Sequence, residues 1–213
     1  MKTVVGAFLN FQGAWKAIEP QMHQEPHFKP PEHVVLYVKP ANTWRKNGDA
    51  IVLPNGVDEV EVGATLGIVM GAATSRVHEH DALKYVAGYV AVNDVTVPHQ
   101  SVLRPPIQQK CRDSFCPIGE MKPAGAVADP NDLTLHIWVN GELKATHSTR
   151  ELIRPVARLI ADVTDFMTLE AGDVLLVGTP ENLPRAHAHD RVAVEIEGVG
   201  RVENTLLAEG DWP

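Results

Sequence analysis

The chain has 213 residues, 44% of them hydrophobic and 22% charged, ordinary values for one soluble globular domain spanning 1–213. Lys and Arg number 19 against 27 Asp and Glu, a net charge of −8; this argues against a nucleic-acid footprint and requires any anionic ligand to be held by local cations. There is no apolar run of the ~18 residues a membrane span needs, Met1–Asn10 lacks a signal-peptide pattern, and Cys111 and Cys116 are too few for a disulfide framework, so a reduced cytoplasmic setting is expected.

In chain order, Glu19–Glu32 carries Pro20, Pro26, Pro30 and Pro31 and reads as a loop, which sets Met1–Ile18 apart and predicts that 1–32 is an arm or lid. A β-branched run over His33–Val38 stops at Lys39-Pro40, and Ile51–Leu53 stops at Pro54. From Glu59 to Gly71, Val60, Val62, Ala64, Leu66, Ile68 and Met70 alternate with the intervening residues, predicting one long strand whose other face carries Gly63, Gly67 and Gly71. His80–Tyr85 reads as a short helix leading into a strand over Gly88–Val97, where Asp94 shares a face with Val90 and Val92. A carboxylate there needs a partner or a ligand.

Leu133, Leu135, Ile137 and Val139 alternate towards the hairpin signal Asn140-Gly141, from which Glu142–Thr146 returns. Ser148 and Glu151 have capping-box spacing before a helix with Leu152, Val156, Leu159, Ile160, Val163 and Met167 on one face and a kink at Pro155. Val174–Val177 is a buried strand stopped by Gly178-Thr179-Pro180, and Arg191–Glu197 turns at Gly198-Val199-Gly200 into Arg201–Leu207. The sum is a β-rich α+β fold with one long and one short helix.

The chain contains no Gly-rich phosphate loop, no H-E-x-x-H and no G-x-S-x-G. His78-Glu79-His80 and His187-Ala188-His189 fall on polar segments, where solvated side chains are the commoner reading than metal ligands. Arg104, Lys110 and Arg112 place three cations in one polar, proline-flanked segment. Two readings stand: a solvated loop, or a carboxylate-binding pocket in which Arg offers a planar fork and Lys a point charge. Thr179, at the end of a buried strand, supplies a hydroxyl and an N–H to an anion or simply turns the chain.

Val38-Lys39-Pro40 with Asn42-Thr43, Ala82–Asp94 (ALKYVAGYVAVND), Lys110–Gly119 (KCRDSFCPIG), Val139-Asn140-Gly141-Glu142, Leu169-Glu170-Ala171-Gly172-Asp173, Gly178-Thr179-Pro180 and Glu195–Asn204 (EIEGVGRVEN) follow one another in the order of a known family. With them the chain resembles the fumarylacetoacetate hydrolase superfamily. Arg104-Pro105 and Lys110-Cys111-Arg112-Asp113 look most like its decarboxylase/isomerase branch, whose members join two such halves, and the resemblance is to the N-terminal half. The resemblance implies a mixed β-sandwich roll, usually dimerised. It also implies a divalent cation, Mg²⁺ or Mn²⁺, that chelates the 2-oxo-carboxylate end of a small di- or tricarboxylic acid and stabilises an enolate.

Carried over residue by residue, the resemblance puts a metal ligand at Asp94, an active-site lysine at Lys110 and a carboxylate-holding pair at Gly178-Thr179; the pocket reading of the cationic segment adds Arg104 and Arg112 as substrate-binding residues. The family's two metal glutamates, however, fall on Gly63 and Thr65, and its lid His and Glu on Ala14 and Ala17. Glu59 and Glu61 lie four residues early, a displacement of about 13 Å along a straight strand. A degraded metal site is therefore expected. Three functions follow: a decarboxylase with isomerase activity, a non-catalytic subunit pairing with a metal-bearing sister chain, or a stand-alone acylpyruvate hydrolase or oxaloacetate decarboxylase.

Overall fold

The structure, a computed structural model, describes residues 2–25, 29–99 and 105–211. Its larger sheet is built from β1 (Val4–Phe8), β2 (Val35–Val38), β6 (Ala64–Met70), β7 (Val86–Asn93), β9 (Lys122–Pro123) and β12 (Val174–Leu176), in the spatial order β2-β1-β12-β6-β7-β9. The second sheet takes β4 (Ala50–Leu53), β10 (Thr134–Val139), β11 (Glu142–Ser148), β14 (Arg191–Ile196) and β15 (Gly200–Ala208), in the order β11-β10-β14-β15-β4. Two small pairs complete the strands: β5 (Glu59–Glu61) with β13 (Arg185–His187), and β3 (Trp44–Arg45) with β8 (Cys116–Pro117). This is the β-rich α+β architecture expected from the sequence. The parallel pairs, β1 with β12 and β4 with β15, join strands far apart in the chain.

The main core lies where the two sheets face each other. Leu66 and Ile68 from β6, Leu135 and Ile137 from β10, Val194 from β14 and Leu206 from β15 are all fully buried there. Helix α3 (Val156–Thr164) closes one end by burying Val156, Leu159, Ile160 and Val163, the stripe that a 3.6-residue period sets on one face. Burying side chains of this size contributes about 1.5–3 kcal/mol each before conformational entropy is set against it.

Several boundaries differ from the sequence reading, each for a local reason. Helix α3 starts after Pro155, which occupies its N-cap position and causes no kink, and the Val156 N–H donates to Asn131 Oδ1 at 2.8 Å. Ser148 instead caps a single 3₁₀ turn over Thr149–Glu151 by accepting from the Arg150 N–H. Residues 1–32, expected as an arm or lid, divide in two: β1 is an interior strand of the larger sheet, and Gln12–Met22 forms helix α1, which runs through Pro20. Pro26, from the same stretch, lies outside the described residues.

The long strand predicted over Glu59–Gly71 is two strands. It breaks at Val62-Gly63, where a Cβ on residue 63 would lie 2.6 Å from the Asp94 carbonyl oxygen and 2.9 Å from Thr179 Cγ2. Only glycine lets the two backbones approach so closely. Beyond the break β5 pairs with β13, while Glu61 keeps an antiparallel bridge to Thr96 in the register of β6 on β7. Gly178, the residue after Val177, has φ +101° and would place a Cβ 2.6 Å from the Ala7 carbonyl oxygen.

Gly178→Ala is therefore expected to lower stability by more than ~1 kcal/mol in urea unfolding, through both strain and collision. Gly125→Ala, at a position with nothing within 4 Å, is expected to change it by less than ~0.5 kcal/mol.

Candidate functional site

Three segments bring the charged centre together. Strand β2 delivers Tyr37 and, just past its end, Lys39; Asp94 follows β7; and the short helix α2 (Ile107–Lys110) ends on Lys110. All four side chains are buried, Lys39 and Asp94 completely. Lys39 Nζ donates to the carbonyl oxygens of Val95, Lys110 and Phe115 at 2.8–2.9 Å and lies 2.7 Å from Asp94 Oδ1. Lys110 Nζ donates to Asp94 Oδ2 at 2.8 Å and to Thr96 Oγ1 at 2.8 Å, and sits 4.4 Å above the centre of the Tyr37 ring. The Tyr37 hydroxyl donates to the same Asp94 Oδ2 at 2.5 Å.

The electrostatics follow from that packing. Burial works to raise the Asp94 pKa, but the Lys110 and Lys39 ammoniums outweigh it and hold the carboxyl at about 2. Burial, more than any neighbour, lowers the Lys110 pKa below the ordinary lysine value; Asp94 opposes the shift and Lys39 adds to it. Tyr37 is pushed up by burial and by Asp94, so it stays a neutral donor. Two ammoniums against one carboxylate leave one net positive charge in this cluster, and Lys110 presents it to a cavity.

That cavity, about 620 Å³, is walled by Tyr37, Thr96, Lys110 and Thr179 on one side and by Ala14, Ala17 and Ile18 of α1 on the other. Glu61, His99, Glu181 and Arg185 also line it. The volume and the mixed apolar and polar lining suit a small organic acid. Glu181 Oε2 is buried without a hydrogen-bond partner, and its carboxylate packs against Gly13 at the start of α1.

The residues singled out from the sequence thus separate into groups. Asp94, Lys110 and Thr179 come together, with Gly178 shaping the turn that presents Thr179. Arg112, expected to bind substrate, is not among the residues lining the cavity: its Nε donates to the Gln108 carbonyl at 2.8 Å. Arg104 lies outside the described residues. Lys110, expected in a polar loop, is only 4% exposed. The sequence reading missed Tyr37, Lys39, Thr96, Glu61 and Arg185. A buried Asp94 already demanded counter-ions, and the lysine that ends the β-branched run at Lys39-Pro40 was the available signal for one of them.

The comparisons with known proteins fit this geometry. The family model described as fumarylacetoacetate (FAA) hydrolase C-terminal matches residues 3–207. The chain belongs to the fumarylacetoacetate hydrolase family. It is 36% identical over 210 residues to the 4-hydroxyphenylacetate degradation bifunctional isomerase/decarboxylase of Salmonella dublin, covering 99% of this chain and 48% of that protein. The chain spans about half the length of the bifunctional relatives it matches. Among solved structures, the 5-carboxymethyl-2-hydroxymuconate delta-isomerase of Mycobacterium smegmatis superposes with a TM-score of 0.83 at 28% identity, over 99% of this chain and 80% of that one. The maleylpyruvate hydrolase of Sphingobium sp. SYK-6, solved with manganese(II) and pyruvate, superposes with a TM-score of 0.80 at 27% identity, over 97% and 70% of the two chains.

A divalent cation of the kind seen in that relative does not fit the residues present here. Of the three positions where the family resemblance puts carboxylates, Gly63 offers no side chain and Thr65 only a neutral hydroxyl, buried and without a hydrogen-bond partner. The third, Asp94, has an ammonium within 2.8 Å of each oxygen, so an incoming dication would meet two positive charges. Among the described residues no group of three His, Cys, Asp or Glu side chains is placed to hold a metal. Cys116 is fully buried and burial pushes its thiol up to about 12, which makes it inert.

Asp94→Asn strands two buried ammoniums and is expected to cost about 3–5 kcal/mol in urea unfolding. The folded carboxyl titrates below the unfolded one, so its contribution is full above the ordinary Asp range near ~4 and is lost as pH falls towards 2. The unfolding midpoint of the native chain should drop across that window, and that of Asp94→Asn should drop less.

Proposed function

We propose that the chain binds a linear 2-oxo di- or tricarboxylic acid in the Lys110 cavity and catalyses its decarboxylation, with isomerase activity through the same enolate. In the terms of the bifunctional relatives, it acts as a 5-oxopent-3-ene-1,2,5-tricarboxylate decarboxylase and 2-hydroxyhepta-2,4-diene-1,7-dioate isomerase, matching their N-terminal half. The observation that carries this reading is the net positive, buried Lys39–Asp94–Lys110 cluster that exposes one ammonium to a cavity of substrate size.

The chemistry asks for an electron sink. The C–C bond to the leaving carboxylate breaks, CO₂ departs, and the electron pair runs into the 2-oxo group as an enolate, which is protonated on oxygen to give the 2-hydroxydiene or on carbon to give its 2-oxo isomer. Lys110, itself only 4% exposed, opposes the developing negative charge as a fixed and largely desolvated cation, which acts more strongly than one in bulk solvent. Thr179 orients a substrate carboxylate through its hydroxyl and backbone N–H. Asp94 and Tyr37 position Lys110 and limit its loss of charge. In the relatives that carry it, a divalent cation supplies Lewis-acid stabilisation of the same enolate.

A second reading, a partner subunit that completes a metal-bearing sister chain as homo- or heteromer, is favoured by one fact: Gly63, Thr65, Ala14 and Ala17 stand where the resemblance puts metal and proton-transfer residues. Size measurement after co-expression with a metal-bearing homologue distinguishes the two.

The purified chain is expected to release CO₂ from the tricarboxylate, with a rate unchanged by EDTA. Lys110→Met should cut kcat by ~10²–10³, with circular dichroism checking that the variant remains folded. No release by the native chain, with or without added Mn²⁺, would sink the catalytic reading.

A further inference from the structure

Proton transfer to or from carbon needs a group that touches the substrate, and the two lid positions that the resemblance reserves for it are Ala14 and Ala17, both on the cavity wall. We infer that Glu61 is the proton-transferring residue of this cavity, a catalytic carboxyl supplied by β5 rather than by the lid helix. This rests on the reading of the cavity as an enolate-forming site.

The placement follows from the antiparallel register of β6 on β7, Ala64 opposite Asn93, which continues past Gly63 to Glu61 opposite Thr96. The Glu61 N–H donates to the Thr96 carbonyl at 2.8 Å, and the Thr96 N–H returns to the Glu61 carbonyl at 3.2 Å. Thr96 in turn accepts from Lys110 Nζ through its hydroxyl. One residue thus fixes the carboxyl and the ammonium on neighbouring parts of the same wall, with Thr179 also lining it.

The groups facing Glu61 come from every side. Arg185 on β13 reaches its Oε1 from Nη2 at 3.3 Å, Lys110 approaches from α2, and His99 and Asp94 from the segment after β7. Burial raises the Glu61 pKa and Asp94 adds to this, while Arg185, Lys110 and His99 oppose it. Glu181 and Tyr37 share the cavity. Arg185 places its hydrogen bond of 2.9 Å on Glu59, outside the cavity, so its hold on Glu61 is the longer of the two contacts.

The step balances. After CO₂ leaves, the enolate electron pair forms a C–H bond with the Glu61 proton, the Glu61 O–H bond breaks, and the carboxylate is reprotonated from water. For isomerisation of the 2-hydroxydiene the enol O–H bond breaks and its proton passes to water, the electron pair re-forms the 2-oxo group, and the far carbon of the diene forms a C–H bond with the Glu61 proton, which water then replaces. A carboxyl whose pKa burial raises holds its proton more readily than an exposed one, which suits the donor step.

The test uses the full chain with the tricarboxylate substrate, following CO₂ release and, in D₂O, deuterium entry into the product by NMR. Glu61→Gln is expected to lower kcat by ~10²–10³ with KM little changed, and to abolish the fall in kcat that the native chain shows as pH rises through the Glu61 range. Glu59→Gln, which removes the tighter Arg185 contact but touches no cavity, should retain native rates and the native pH profile. If Glu61→Gln keeps kcat within ~3-fold and the same pH profile while Lys110→Met is impaired, the inference fails and the enolate reading stands. If the native chain neither releases CO₂ nor incorporates deuterium, both fail.

Discussion

Two lysines and one aspartate, all buried and only Lys110 reaching the cavity, hold the functional half of this molecule in place. A buried ion cluster is stable only if geometry and hydrogen bonds repay the cost of removing the charges from water. Here Lys39 spends its three protons on carbonyls of three different segments while its charge faces Asp94, and Lys110 divides its own between Asp94 and Thr96. The same contacts tie β2, the end of β7, α2 and the chain before β8 into one block. Loss of either sign of charge is therefore felt in the fold and the cavity together.

The cluster also decides which chemistry the cavity can support. A carboxylate flanked by two ammoniums is a poor ligand for a dication, because every position close to its oxygens already feels positive charge. The surplus is one positive charge, delivered by Lys110 on a side chain locked by a tyrosine face and two hydrogen bonds. A fixed cation in a low-dielectric wall does part of what a metal does for an enolate: it opposes charge as it develops, without having to reorganise. It does not chelate, so orientation of the substrate falls to the neighbouring hydroxyl and backbone groups around Thr179.

Glycine at position 63 links these two aspects. Without a side chain it supplies no ligand, and it lets the Asp94 carbonyl and Thr179 pack closely against the backbone, while the β6–β7 register runs on past it to Glu61 opposite Thr96. The bifunctional relatives are about twice as long as this chain.

Much of this was legible in the amino-acid order. Period-two alternation marked β6, β10 and β14, Asn140-Gly141 marked a hairpin, and the short motifs around Asp94, Lys110 and Thr179 identified the family and gave the site's nucleus, because such signals are carried by residues adjacent in the chain. The misreadings have one origin. A distance reckoned along the Glu59–Gly71 segment alone kept Glu61 apart from residues with which it shares a wall, because the antiparallel partner that carries Thr96 opposite Glu61 is not visible in one segment. The three cations of the 104–112 segment looked alike, yet Lys110 turns inward while Arg112 hydrogen-bonds its own helix. Which side chain faces the cavity, and which carbonyls surround Lys39, depends on how distant segments meet in space, and only the tertiary packing decides that.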